Sequence, residues 1–283
     1  ATLGYRMRQD SRVGRDTRLE VVTEGVLTRL LQADPALEGV GAVLFDEFHE
    51  RSLQADLALA LTLDARANLR PDLRVVVMSA TIAAAPVARL LGDAPVVTAP
   101  GRTFPVATEY LPPRPDEPLA RGVVAGVRRA LADTAGDVLA FLPGAAEIQR
   151  SADALAGQLP AGVRVRTLYG DLPRDAQDAA IRAAPPGERK VLLATNIAET
   201  SLTIEGITAV VDSGLERRAR FDPATGLTRL ETEWISRASA DQRRGRAGRL
   251  GPGTCYRLWS EARQRSLVPE VPPEITTADL APL

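Results

Sequence analysis

Short apolar, β-branched runs alternate along this chain with longer stretches whose apolar positions recur every three to four residues. One series of runs predicts strands at residues 19–22, 40–45, 74–78 and 96–98. A second series predicts strands at 138–142, 163–168, 191–194 and 209–212, with helices such as 119–132 and 145–159 between them. Strands separated by helices are the pattern of βα units and mostly parallel sheets, so the expected fold class is α/β. The two series look like two copies of one plan. The Pro- and Gly-rich segment 99–106, followed by 111–115, is the expected linker. The expected domains are 1–98, 99–262 and a further segment, 263–283. Residues 217–233 break the rhythm: two polar strand-like arms flank Asp222-Pro-Ala-Thr-Gly226, which predicts a projecting β-hairpin.

Composition narrows the picture. The net charge is −1, yet the chain carries 35 basic residues, of which Lys190 is the only lysine. Arginine suits bidentate phosphate contacts, and a near-neutral chain can still hold a basic groove. A single cysteine, Cys255, excludes an internal disulfide and a cysteine-based metal cluster and suits a reducing cytosol. No apolar run approaches the ~20 residues that span a bilayer. The expectation is therefore a cytoplasmic protein with no membrane partner. The amino end has no initiator methionine and no signal-peptide pattern, and the carboxyl end looks like a helix cut at its start. The chain reads as an internal segment of something longer.

The candidate chemistry begins at the chain's only histidine, His49, in Asp46-Glu-Phe-His49. The apolar run 40–45 predicts a buried parallel strand that delivers Asp46 and Glu47 at its carboxyl end, where open α/β sheets bind ligands. There Asp46 can hold the magnesium of a nucleoside triphosphate, and Glu47 can orient or deprotonate the attacking water. In Gln242-Arg-Arg-Gly-Arg-Ala-Gly-Arg249, one continuous helix would place Gln242, Arg246 and Arg249 on one face. Arg243 would lie about 100° away, in a supporting position. Glycines at 245 and 248 would each cost that helix about 1 kcal/mol, which a close approach of backbone or ligand offsets.

Those two segments occur in order with Thr23-Glu-Gly25, Ser79-Ala-Thr81 and the run from Ala194 to Gly206. The series closely resembles the motifs of the superfamily 2 DEAH-box RNA helicases. Asp46-Glu-Phe-His-Glu-Arg51 and Thr23-Glu-Gly-Val-Leu-Thr-Arg29 are most similar to the bacterial HrpB-type branch. The resemblance implies two RecA-like domains, the first incomplete, with ATP (or another NTP) and Mg2+ as cofactors. It implies a metal ligand in Asp46, a water-activating carboxylate in Glu47 and a relay in His49. Gln242 would face the water, and Arg246 and Arg249 would reach the γ-phosphate. Ser79 and Thr81 would couple hydrolysis to domain movement, and Ser201, Thr203 and Glu205 would sit near the ribose and phosphates. Many relatives have aspartate in place of Glu205.

On the nucleic-acid side, the resemblance assigns Thr23, Gly25 and Thr195 to backbone contacts, with Arg6, Arg8 and Arg12 as a possible extension. The hairpin matches a strand-separating wedge. The implied partner is single-stranded RNA, or an RNA duplex with a single-stranded tail, traversed 3′ to 5′. Ile181 lies where many relatives place an aromatic ring against the base, so discrimination among ATP, GTP, CTP and UTP is expected to be poor. No Gly-x-x-x-x-Gly-Lys-Ser/Thr occurs, and in the family that phosphate cradle precedes the segment starting here. The fragment alone is expected to hydrolyse nucleotide negligibly. Two other readings stay open: a nucleic-acid-binding scaffold without catalysis, and a DNA translocase on the same engine.

Overall fold

The computed structural model describes residues 2–80, 84–99, 101, 104–199, 202–222, 224–278 and 280. The chain divides into two compact units: Ala1–Thr98 with Pro272–Leu283, and Ala99–Val271. The segment expected to start a further domain, 263–283, is shared between them.

In the first unit, β1 (Leu3–Arg6) pairs antiparallel with β2 (Ser11–Arg12) and parallel with β3 (Leu19–Val22). Helix α1 (Glu24–Ala33) follows, then β4 (Ala42–Phe45), α2 (Leu53–Asn68), β5 (Arg74–Val77) and α3 (Ala84–Leu90). Strands β4 and β5 form a parallel pair. Val43 and Phe45 point into a core with Leu31, Phe48, Ala58 and Leu59. The opposite face is open, with Leu44 52% and Val76 43% exposed. The strand expected to be buried is thus buried on one face only. Arg70 fixes the turn that feeds β4: its guanidinium donates to the carbonyls of Ala36, Leu37 and Val40 while also pairing with Asp72. Residues 96–98, expected as a strand, have no regular structure, and Val97 is 89% exposed. Among the described residues no strand pairs with it, and an apolar run without a pairing partner does not become a strand.

The second unit is a six-stranded parallel sheet in the order β6-β13-β10-β7-β9-β8. Its elements are β6 (Val106–Tyr110), α4 (Leu119–Asp133), β7 (Asp137–Phe141), α5 (Ala145–Leu155) and β8 (Val163–Leu168). Then come α6 (Arg174–Ile181), β9 (Arg189–Ala194) and β10 (Ile207–Asp212). An antiparallel hairpin, β11 (Leu215–Asp222) and β12 (Leu227–Trp234), pairs only with itself. Helix α7 (Arg237–Gly245), β13 (Gly253–Arg257) and α8 (Glu261–Ser266) complete the unit. Central strands β7, β9 and β10 are almost wholly buried, as expected of a parallel sheet covered on both faces. Residues expected as linker contribute Val106 to strand β6, the edge of the sheet. Helix α5 stops at Leu155, short of the expected residue 159, because Gly157 turns left-handed at φ +72°. Among the described residues no helix is long and apolar enough to cross a membrane.

Candidate nucleotide and nucleic-acid site

Strand β4 ends where its chemistry begins. Asp46 is exposed just beyond Phe45, and its Oδ1 accepts the Glu47 N–H at 2.9 Å. Glu47 has φ +49° and ψ +34°, a left-handed conformation that costs a non-glycine residue about 1 kcal/mol or more. The turn is held in place by neighbours. The Phe48 N–H donates to the Met78 carbonyl at 3.0 Å, and the Phe48 ring is buried edge-on to Phe45 at 6.3 Å. Those contacts set the acidic turn beside the end of β5, where Ser79 is exposed. His49 Nδ1 lies 3.5 Å from Glu47 Oε2, with the imidazole largely buried. Thr81 lies outside the described residues.

The start of α2 braces this turn. Ser52 caps the helix by accepting the Ala55 N–H at 3.1 Å and donates its hydroxyl to Glu24 at 2.8 Å. Glu274 accepts the Leu53 N–H at 2.8 Å, and its own N–H reaches the Arg51 carbonyl at 3.1 Å. A carboxylate at a helix N-terminus is favoured by the unpaired amides and the dipole. Sequence reasoning missed Glu274, since no local pattern signals a contact so distant along the chain. Thr23 stands exposed at the N-cap of α1 without capping it through its side chain, and a Cβ on nearby Gly25 would meet open space.

A magnesium ion bound mainly through phosphates and water asks the protein for only one or two carboxylates. Exposed Asp46, with its Oδ1 already positioned by the backbone, fits that need. Among the described residues there is no cluster of three or more His, Cys, Asp or Glu side chains that would make a protein-only metal site.

In the second unit, the arginine motif is not one continuous helix. Helix α7 ends at Gly245, and Arg246–Gly248 forms a tighter 3-10 turn. Within that turn the backbone is crowded at Gly248. Its carbonyl accepts the Phe104 N–H at 3.1 Å, and a Cβ there would sit 2.7 Å from the Phe104 carbonyl oxygen. At Gly245 the same atom would meet nothing within 4 Å. Gln242 is half-buried on α7. Arg246 is buried and donates to the carbonyls of Glu199 (2.9 Å) and Leu202 (2.5 Å). Arg249 is exposed and shares the Leu202 carbonyl at 3.4 Å. Both arginines therefore meet the loop that carries exposed Thr203 and Glu205. Ser201 lies outside the described residues. Thr195 is half-buried at the end of β9, where its N–H donates to Leu168 at 3.1 Å.

Arg243 occupies the interior. It pairs with Glu199 at 2.8 Å and Asp212 at 3.1 Å, and its guanidinium lies 4.9 Å from the centre of the Phe141 ring. Burial pushes the Asp212 and Glu216 carboxyls above their ordinary range, against the pull of Arg243. Burial would lower the guanidinium's pKa, but Asp212 and Glu199 outweigh it and hold the charge more firmly than usual. Glu199, Asp212 and Glu216 went unnoticed in the sequence; the available signal was Asp212 closing an otherwise apolar strand.

Residues 124–251 match the family described as helicase conserved C-terminal domain. Like the motifs and the fold, the similarities below are to DEAH-box helicases. It is 52% identical over 282 residues to the ATP-dependent RNA helicase HrpB of Escherichia coli (strain K12), covering 100% of this chain and 35% of that protein. The probable ATP-dependent RNA helicase DHX34 of Mus musculus is 40% identical over 286 residues, covering 96% of this chain and 25% of that protein. The crystal structure of Escherichia coli DEAH/RHA helicase HrpB superposes with a TM-score of 0.92 at 52% identity, covering 98% of this chain and 36% of that one. The fold is accordingly RecA-like α/β. The chain spans about a third of the length of HrpB and a quarter of DHX34.

Proposed function

We propose that the full-length protein is an NTP-dependent RNA helicase that couples hydrolysis to 3′-to-5′ movement along single-stranded RNA. The observation that carries this reading is the acidic turn: Asp46 and Glu47 displayed at the end of β4, with Glu47 held in a strained backbone conformation. Bound Mg2+ would be ligated by Asp46 and would neutralise phosphate charge. Glu47 orients water and accepts its proton, and His49, 3.5 Å from that carboxylate, relays the state of the nucleotide site to the second domain. Arg246 and Arg249 supply positive charge to the transferring phosphoryl group, and Gln242 faces the water. Thr203 and Glu205 contact the nucleotide. Ser79, at the end of β5, links the acidic turn to conformational change.

Exposed Thr23, the open backbone at Gly25, and Thr195 grip the phosphate–sugar backbone without reading sequence. Single-stranded RNA and tailed RNA duplexes are the proposed substrates. Ile181 offers no ring for base stacking, which supports low discrimination among the four nucleoside triphosphates. These 283 residues contain no Gly-x-x-x-x-Gly-Lys-Ser/Thr, so this stretch by itself is expected to turn over nucleotide negligibly.

The test is nucleotide hydrolysis by the full-length protein with and without single-stranded RNA, beside Glu47→Gln. The expected result is RNA-stimulated turnover that the substitution abolishes while nucleotide and RNA binding persist. Turnover retained in Glu47→Gln would refute the role of that carboxylate. Binding without any turnover in the wild type would favour a scaffold, and stimulation by DNA alone a DNA translocase.

A further inference from the structure

Arg243 lies inside the arginine motif, yet the proposed hydrolysis does not use it. It is also among the largest fully buried side chains of the protein. Its partners belong to separate segments. Nε donates to Glu199 at 2.8 Å, in the loop after β9. Nη1 reaches Asp212 at the end of β10 (3.1 Å) and the carbonyl of Leu215 at the root of the hairpin (3.3 Å). Nη2 lies 3.8 Å from Glu216 on β11. A planar guanidinium holds its donors in one rigid fork, so shifting one partner shifts the others.

The chain of charge continues outward. Arg218 pairs with Glu216 at 2.7 Å and with Glu233 on the opposite strand at 3.0 Å. The hairpin has little slack at its root. Gly214 is left-handed at φ +74°, and a Cβ there would press on the rings of Trp259 and Trp234 at 2.7 and 2.8 Å. The Ile235 N–H closes onto the Gly214 carbonyl at 3.0 Å. Ser236 then caps α7, so β12 runs into the helix of Gln242 after a single intervening residue, Ile235, and the cap. A single carboxylate would neutralise the charge of one buried arginine. Spanning Glu199, Asp212 and Glu216 makes it a joint between elements.

We propose that Arg243 is a positioning residue that binds α7 and the hairpin Leu215–Trp234 into one moving body, so that the nucleotide state felt at Gln242 and Arg246 is passed to the hairpin. This rests on the helicase reading above.

The test compares full-length wild type, Arg243→Lys and Glu216→Gln. The quantity read is tailed RNA duplex unwound per nucleotide hydrolysed, a ratio that does not depend on the fraction of correctly folded protein. A lysine keeps the charge but cannot span the three carboxylates. The ratio is expected to fall about fivefold or more in Arg243→Lys, the usual size of a coupling between sites. Glu216→Gln removes the charge on the hairpin that faces Arg243 and Arg218, leaves Asp212, Glu199 and the Leu215 carbonyl in place, and should lower the same ratio while RNA-free hydrolysis is preserved. Should Arg243→Lys fail to fold, Glu216→Gln alone decides. Stimulated hydrolysis with an unchanged ratio overturns the coupling but not the function. A wild type without RNA-stimulated hydrolysis overturns the function, and the coupling with it.

Discussion

Within one short motif, neighbouring residue types meet different fates. Gly245 and Gly248 look equivalent in the sequence, but only Gly248 has a backbone pressed against it. Gly248→Ala should therefore destabilise the second unit by about 1–3 kcal/mol through overpacking. Gly245→Ala, with open space around it, should be neutral or stabilising by up to about 1 kcal/mol. Denaturant unfolding of the two variants checks the order, and equal costs would contradict the crowding at Gly248. Arg246 is proposed to act on phosphate while already holding the carbonyls of Glu199 and Leu202. In the full-length protein Arg246→Ala should lower kcat by ~10³, far more than it raises KM. A change confined to KM would leave it as a structural clamp on the loop.

At the scale of elements, legibility followed burial. Strands β7, β9 and β10 were readable because both faces are covered and their residues are almost continuously apolar, and edge strand β8 because Val163, Val165 and Leu168 stand among polar residues. Strand β6 was hidden by the prolines before and after it, and β13 by a cysteine, a tyrosine and an arginine that a fully covered site nevertheless accommodates. The acidic turn was legible from residue type and order alone. The crowding at Gly248 was not, because it depends on Phe104, far away in sequence. The turn that feeds β4 also leans on a distant residue, Arg70. Its hydrogen bond draws the Asp72 carboxyl down from an ordinary 3.8 to about 2. A carboxyl lowered on folding adds stability that is present above its unfolded value and is lost as pH falls through its folded one. Asp72→Asn should thus be less stable than wild type at neutral pH, and the gap should close between about pH 4 and pH 2. A gap that stays constant across that window, followed by circular dichroism, would remove Asp72 from the acid response.

At the scale of the molecule, the two units differ in how much of their surface is settled. The second has a sheet covered on both faces, whereas the first shows exposed apolar residues on β3, β4 and β5, among them Leu19, Val21, Leu44 and Val76. The strand order of the second unit also has a consequence for synthesis. Its first strand in the sequence, β6, lies at the sheet edge and bonds only to its last, β13. During translation β6 therefore waits, unpaired, until the ribosome has released residue 257. Such a long-range pairing is slow to form and leaves an open edge meanwhile. Nascent chains arrested before β13 should be protease-sensitive around residues 106–110 and acquire protection only after Arg257 clears the exit tunnel.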